Sequence, residues 1–344
     1  MREPVTNCVS AIVPPTRAER ARAGAEGGSS AAHDTFLADW PALRTVECRQ
    51  PVVPAPPGWP LTVAAWNIER CKHVEASAEL LARAGADIVL ATEMDCGMAR
   101  SGQRHTTADL AGALGMGHAF GVEFVELDLG DPRETAEFAG ESNRHGLHGN
   151  AVLSRLPIAR AALLPLDDGG AWFVRAPKGD GQHRVGGRMA LAVSIEMPEG
   201  PVCFAAAHFE SEGTPDSRAE EARRLVAGIA AVFGPGPAVI GGDLNTARFV
   251  DGTADPADWL DRPEASEPAF TVFRNAGFDW LAANTAAITT RAHPWHGPNW
   301  RGKKLDWLLT RGLAAHAPGV PAAIDGTGRV LSDHDPVLAS VAPA

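Results

Sequence analysis

The chain has 344 residues, 45% of them hydrophobic and 21% charged, the balance of an ordinary soluble globular protein. Its 31 basic and 42 acidic side chains give a net charge of −11, which argues against a basic face built to grip nucleic acid, though not against a local basic patch. No apolar run approaches the roughly 20 residues of a membrane-spanning helix. The first ten residues lack the apolar stretch of a secretion signal, so a cytoplasmic monomer is the expectation. Cys8, Cys48, Cys71, Cys96 and Cys203 are scattered and never spaced as C-x-x-C, which leaves a disulfide framework or a structural zinc site unexpected. The chain contains nine Trp and no Tyr.

In chain order, Met1–Ser30 is rich in Ala, Arg, Glu, Gly and Ser and reads as flexible. Asp34–Leu43 reads as a short helix, and the proline-rich Pro51–Pro60 as an extended lead-in. From Leu61 the pattern changes to short strands separated by turns and helices. Leu61–Trp66 is a strand, and Val74–Ala84 a helix with Gly85 where a C-terminal cap belongs. Asp87–Thr92 is apolar at nearly every position and reads as a strand buried on both faces. Thr106–Leu114 reads as a helix ended by Gly115, and Asn150–Leu153, Met189–Ile195, Val202–Ala207 and Ala238–Ile240 as strands. Ser217–Phe233 is the clearest amphipathic helix, with Ala222, Leu225, Val226, Ile229 and Val232 three or four residues apart. Asp251–Pro268 reads as a surface loop, and Leu305–Leu309 and Val337–Val341 close the set. Short strands with helices between them predict an α/β or α+β layered domain.

Polar residues cluster where the apolar runs end. Asp243 and Asn245 leave the strand through Gly241-Gly242, and two positions apart in an extended segment they enter one pocket, unless they merely form an Asx turn. Glu93 follows the apolar run Ile88–Ala91, and Asn67 follows Leu61–Trp66. Glu93 suits a cation site or, alternatively, a helix cap or loop, and Asn67 can ligate a cation or hold a ligating carboxylate. His208 follows Cys203–Ala207, and a His on an apolar face is more often a hydrogen-bonded core residue than a catalyst. His148 and Asn150 flank Gly149 and offer donors to a phosphate or a turn. Asp306 sits between apolar neighbours, and a strand-embedded Asp needs a partner when buried. His334, in Ser332-Asp333-His334-Asp335-Pro336, is such a partner: a carboxylate on one ring nitrogen fixes its tautomer and stabilises the imidazolium. If Glu93, Asp243 and Asp333 converge to about 5 Å, each pair repels by roughly 3 kcal/mol at an effective dielectric near 20. A bound divalent ion relieves this, and oxygen donors favour Mg2+ or Mn2+ over zinc.

The ordered set Trp66-Asn67, Thr92-Glu93, Gly149–Arg155, Ala207-His208, Gly242–Asn245, Leu305–Trp307 and Ser332–Pro336 resembles the endonuclease/exonuclease/phosphatase (DNase I-like) family over about residues 61–343. The resemblance implies a four-layer α/β/β/α sandwich of two face-to-face, mostly antiparallel sheets flanked by helices. With the compositional change before Leu61, it divides the chain into a partly flexible, Pro-rich extension, 1–59, and a catalytic domain, 60–344. It also implies roles. Glu93, with Asn67 and Asp333, holds the metal, and Asp243 and Asn245 position or activate water. His334, oriented by Asp306, acts as base or charge stabiliser, and His208 contacts the phosphate or assists the leaving oxygen. Many relatives carry a Tyr just before the Gly149 segment, and here that role is empty or falls to His148, beside Asn150.

The expected activity is Mg2+-dependent hydrolysis of a phosphoester, a phosphodiesterase or nuclease first. A lipid headgroup or small molecule is the alternative substrate, and a catalytically inactive binding module on the same scaffold is the alternative class. Arg301, Lys303 and Lys304, with Trp295 and Trp300, form a basic–aromatic stretch that either grips a nucleic-acid backbone or is a solvated loop.

Overall fold

The computed structural model describes residues 2–175, 183–253, 255–292 and 297–344. In chain order its strands are β1 (Cys8–Val9), β2 (Val46–Arg49), β3 (Leu61–Arg70), β4 (Ile88–Cys96), β5 (Gly117–Glu126), β6 (Leu147–Ser154), β7 (Arg160–Pro165), β8 (Arg184–Gly186), β9 (Met189–Met197), β10 (Gly200–His208), β11 (Ala238–Asp243), β12 (Asp306–Arg311), β13 (Leu313–Gly319) and β14 (Val337–Pro343). The helices are α1 (Arg17–Ala25), α2 (Ser30–Asp39), α3 (Val74–Arg83), α4 (Thr106–Leu114), α5 (Pro132–Glu137), α6 (Ala171–Val174), α7 (Pro215–Phe233), α8 (Pro256–Asp261) and α9 (Ala269–Asn275). None of the described helices is long and apolar enough to cross a membrane.

Strand alternation explains the layering. Val63 and Ala65 of β3 and Ile88 and Leu90 of β4 face Phe204, Val239 and Leu308 across the gap between two sheets. The intervening residues, Ala64, Trp66, Val89 and Ala91, face outward onto Leu80, Leu81 and Leu110 of α3 and α4. On the other sheet Ala205, Ile240 and Leu309 meet Leu225 and Ile229 of α7 and Phe270 and Phe273 of α9. Three apolar interfaces make an α/β/β/α sandwich, and strands covered on both faces are apolar at nearly every position. One sheet runs β1-β2-β5-β6-β4-β3-β14-β13, with β8 on β5, and the other β12-β11-β10-β9-β7. The pairs β1–β2, β3–β4 and β10–β11 are parallel and the other pairings between these strands antiparallel.

The N-terminal segment departs from the flexible arm expected of Met1–Ser30. Cys8–Val9 pairs with Val46–Glu47, and β2 in turn pairs with β5. Val5 exchanges two backbone hydrogen bonds of 2.9 Å with Leu163 on the opposite sheet. Thr16 and Glu19 form a capping box at the start of α1, and the buried guanidinium of Arg20 donates to the carbonyls of Pro15, Asn143 and His145. A polar composition here serves hydrogen bonding to the domain rather than solvation, which composition alone does not distinguish. The predicted helix over 34–43 starts four residues earlier, capped by Ser29, and ends before Pro41. Within the predicted loop 251–268, Asp255 caps α8 and Pro256 opens it.

Arg218 and Glu267 tie α7 to the segment before α9 through bonds of 2.9 and 2.6 Å, and both are buried. Glu267→Ala would strand the guanidinium without a counter-charge. The expected loss is about 3–5 kcal/mol, read as a lower urea midpoint with an unchanged slope.

Candidate active site

Register alone sets three chemical groups side by side. Parallel pairing puts His208 opposite Asp243, and antiparallel pairing puts Asp243 opposite Asp306. All three lie on the face that looks toward the other sheet, continuing the rows of Ala206, Val239 and Leu308. Gly241 makes the approach of the sheets possible: a Cβ there would sit 2.8 Å from Ala65, Leu90 and Leu308. Gly242 lies at φ 139, where a Cβ would run into the carbonyl oxygen of Ala207.

The facing sheet supplies Asn67 from β3 and Glu93 from β4. The β3–β4 ladder breaks between Asn67 and Arg70, and the β4–β6 ladder between Ala91 and Met94. Glu93 occupies this bulge at φ 59, while Glu69, Arg70 and Cys71 are successively left-handed. Bulges re-aim side chains. Here one turns Glu93 and Arg70 toward each other, Nη1 to Oε2, at 2.7 Å.

Asn67 joins the sheets. Its Nδ2 donates to Glu93 Oε1 at 3.0 Å and to Asp243 Oδ2 at 3.1 Å. The same Asp243 oxygen lies 3.8 Å from Nε2 of both His208 and His334. His334 Nδ1 bonds Asp306 Oδ2 at 2.7 Å, and its peptide carbonyl accepts from the Trp66 indole at 2.9 Å. Asn245, at φ 48, turns out of the strand rather than continuing it. Its backbone N–H donates to Asp243 Oδ1 and its amide to the carbonyl of Phe209, both at 2.9 Å. Asn67, Glu93, His208, Asp243, Asn245 and His334 line a cleft of about 990 Å³ that also receives Arg70, Arg100, His148 and Arg188.

Further ion pairs hold the imidazoles. Arg188 Nη1 lies 2.6 Å from Glu123 Oε1 and 3.0 Å from His208 Nδ1. An Arg N–H can only donate, so Nδ1 accepts and Nε2 carries the proton toward Asp243. His148 Nδ1 bonds Asp95 Oδ1 at 2.7 Å, and Arg100 grips both oxygens of Asp95 at 2.9 Å. Burial lowers the basicity of His148 despite Asp95, which favours the neutral ring. At His334 burial also works against charge, but Asp306 and Asp243 outweigh it and raise the imidazolium well above its ordinary range. Burial would raise the Glu93 carboxyl, but Arg70 and nearby imidazoles hold it well below the usual carboxylate value.

Asn67, Glu93, His148, His208, Asp243, Asn245 and His334 thus line one cleft, with Asp306 directly behind His334. Asp333 is not among the lining residues. Its N–H donates to Glu69 Oε2, and burial, reinforced by Glu69 and Glu93 against His334, pushes its carboxyl up to about 6. A buried carboxyl with Glu69 and Glu93 beside it is a set of oxygen donors that a hard divalent cation fits, and Asn67, Glu93 and Asp333 could hold one. Asp243, Asp306 and His334 also each offer a ligand atom within 4.8 Å of the others.

Asn150 does not join the cleft. Two positions inward from His148 along β6, it lies between the sheets and donates to the carbonyl of Met189 at 2.8 Å. Two of the described residues of the basic–aromatic stretch are engaged elsewhere. Lys304 is buried over the Trp307 ring, 4.2 Å from its centroid, and Arg301 reaches the carbonyls of Asp251 and Gly252. Trp295 lies outside the described residues. Sequence reasoning passed over Arg70, Asp95, Arg100, Glu123 and Arg188. The signal was there in β5 and β4, where acids interrupt apolar runs and therefore require buried partners.

Glu221 of α7 accepts the Glu210 N–H on both carboxylate oxygens, at 3.1 and 3.2 Å, and so braces the segment that follows His208. Burial pushes its carboxyl up to about 8, against Arg188. The folded chain keeps a proton that the unfolded chain releases near pH 4.3. The stability this proton supplies is present below that pH and lost as pH rises through about 8. Glu221→Gln is expected to gain on the order of 5 kcal/mol over the parent between pH 4 and pH 9. Urea unfolding at the two pH values measures it, and a pH-independent difference would remove the explanation.

The arrangement is that of the DNase I-like α/β sandwich. Among solved structures, an endonuclease/exonuclease/phosphatase protein of Beutenbergia cavernae superposes with a TM-score of 0.57 at 19% identity, covering 83% of this chain and 72% of that one. The human nocturnin catalytic domain gives 0.52 at 16%, covering 87% and 97%, and a Bacteroides vulgatus endonuclease/exonuclease/phosphatase 0.51 at 15%, covering 83% and 100%. No curated protein matches the sequence. The model of the Endonuclease/Exonuclease/phosphatase family matches residues 64–334, and the chain belongs to that family. The family is generally hydrolytic on phosphoesters and usually depends on a divalent metal.

Proposed function

We propose that this protein hydrolyses a phosphodiester with the help of Mg2+ or Mn2+. The observation that carries the reading is the single Asp243 oxygen shared by Asn67, His208 and His334. A carboxylate flanked by two imidazole N–H groups suits a water that must lose a proton beside a phosphorus centre that gains negative charge. Asp243 orients the attacking water and accepts its proton. His334, kept as the imidazolium by Asp306, donates to an equatorial phosphate oxygen. His208, protonated on Nε2 because Arg188 occupies Nδ1, donates to a second oxygen or to the leaving group. Asn67, Glu93 and Asp333 would hold the cation, which when bound neutralises phosphate charge and acidifies water. Neutral His148 and the cleft arginines hold the rest of the substrate.

The test is turnover of bis-p-nitrophenyl phosphate, plasmid and abasic DNA, RNA, sphingomyelin and inositol phosphates, each with Mg2+ and with chelator. Metal-dependent cleavage of a diester ahead of p-nitrophenyl phosphate is expected. A steep fall with salt on DNA alone would mark a nuclease, and indifference to salt a small or lipid substrate. Absence of turnover on every ester would leave an inactive binding module, a reading disfavoured because every charged residue of the motif set is present.

A further inference from the structure

On the other side of the nine-stranded sheet's edge, three side chains from separate elements converge. Glu47 comes from β2, His118 from β5, and His105 is the residue that caps α4. Each offers a ligand atom within 4.8 Å of the others, and none of them lines the catalytic cleft. Glu47 Oε1 lies 3.1 Å from His118 Nε2 and 3.2 Å from His105 Nε2. Its other oxygen accepts the Ile12 N–H at 3.1 Å, which orients the carboxylate.

A hydrogen-bonded trio would satisfy all three groups, and this one does not. His105 Nε2 is buried and stands 3.2 Å from Glu47 Oε1 without being aligned for a good hydrogen bond, although, against burial, the two attract and help to hold the Glu47 carboxyl low. Two donors each about 2.0–2.1 Å from one tetrahedral ion are themselves about 3.3 Å apart, close to both separations observed. Two imidazoles and one carboxylate are a zinc donor set that leaves a fourth position for water. The His105 side chain is 24% exposed, which gives that position a route to solvent.

We propose that Glu47, His105 and His118 bind Zn2+, pinning the N-terminal strands and α4 to the sheet edge. Ligation through Nε2 moves the His105 proton to Nδ1 and releases the Ala108 N–H, whose contact with Nδ1 is already long at 3.4 Å. The cysteines gave no hint of this site because none of the ligands is a cysteine, and Glu47 lies more than 50 positions before His105.

Metal-stripped full-length protein should be titrated with Zn2+ against a chromogenic chelator in excess Mg2+, and its Co2+ form examined by visible absorption. The parent and His334→Ala are expected to retain one tight zinc per chain, to melt at higher temperature when it is bound, and to give an intense tetrahedral Co2+ spectrum. Glu47→Gln and His118→Gln are expected to lose that zinc and the thermal shift. Glutamine at 47 can still accept from both rings, so a purely hydrogen-bonded cluster would survive it. Unchanged zinc retention in both variants would overturn the proposal, as would failure of the parent to retain zinc or to give the Co2+ spectrum. If Glu47→Gln and His118→Gln fail to fold, the Co2+ spectrum of His334→Ala, whose Asp243–Asp306–His334 cluster is broken, still decides the matter.

Discussion

His334→Ala is expected to lower kcat on a phosphodiester by about 10²–10⁴-fold, the range of a positioned acid or base. The effect should fall on kcat more than KM, because an imidazolium 3.8 Å from Asp243 serves charge that develops only as water attacks. Asp306→Asn tests the same pair from behind. The amide cannot stabilise the cation on the ring, so a loss of about 10²-fold is expected with the cleft intact. The pH profile carries a sign. Asp306 and Asp243 raise His334 well above its ordinary value, so the limb of the profile set by the imidazolium should lie on the alkaline side, while Asp333, its carboxyl pushed up to about 6, sets an acid limb. Stability linked to this proton follows suit: it is complete below the unfolded value of about 6.5 and lost as pH climbs through the folded one. A rate that instead rises with pH through neutrality would make His334 a base in its neutral form.

The second large effect is expected at Glu93. Glu93→Gln should cost at least about 10²-fold in turnover and shift the Mg2+ or Mn2+ activation curve to higher concentration. Two consequences separate here. Arg70 loses its 2.7 Å partner but keeps Glu134 at 3.2 Å, so the stability cost should be modest, about 2 kcal/mol. The catalytic loss should remain when unfolding has been accounted for. Chelator should abolish parental activity and added Mg2+ restore it. A Glu93→Gln protein with the parental rate and metal curve would sink the assignment of Glu93 as a metal ligand.

How far the primary structure reaches differs by element. Strands covered on both faces, such as β4, and the stripe of α7 announce themselves because burial demands apolar side chains at a fixed period. β5 does not, since Glu123 and Glu126 interrupt it, and buried partners, among them the guanidinium groups of Arg188 and Arg184, offset the burial of those acids. The docked N-terminal segment was hidden for a similar reason: Arg20 and Val5 find backbone partners more than 100 positions away.

From its order of residues alone, this protein is marked as a sandwich whose strand ends carry Asn67, Glu93, His208, Asp243, Asp306 and His334, because residue type and strand termini are local properties. Tertiary structure decided which of them meet. The bulge at Glu93 aims it inward, the register of β10, β11 and β12 lines up His208, Asp243 and Asp306, and one extra pair of positions keeps Asn150 between the sheets. The charged residues that hold the imidazoles, and the Glu47–His105–His118 cluster, arise from pairing between distant segments. Only the folded backbone sets those distances, and electrostatic and ligand interactions act over a few ångströms of space, whatever the separation along the chain.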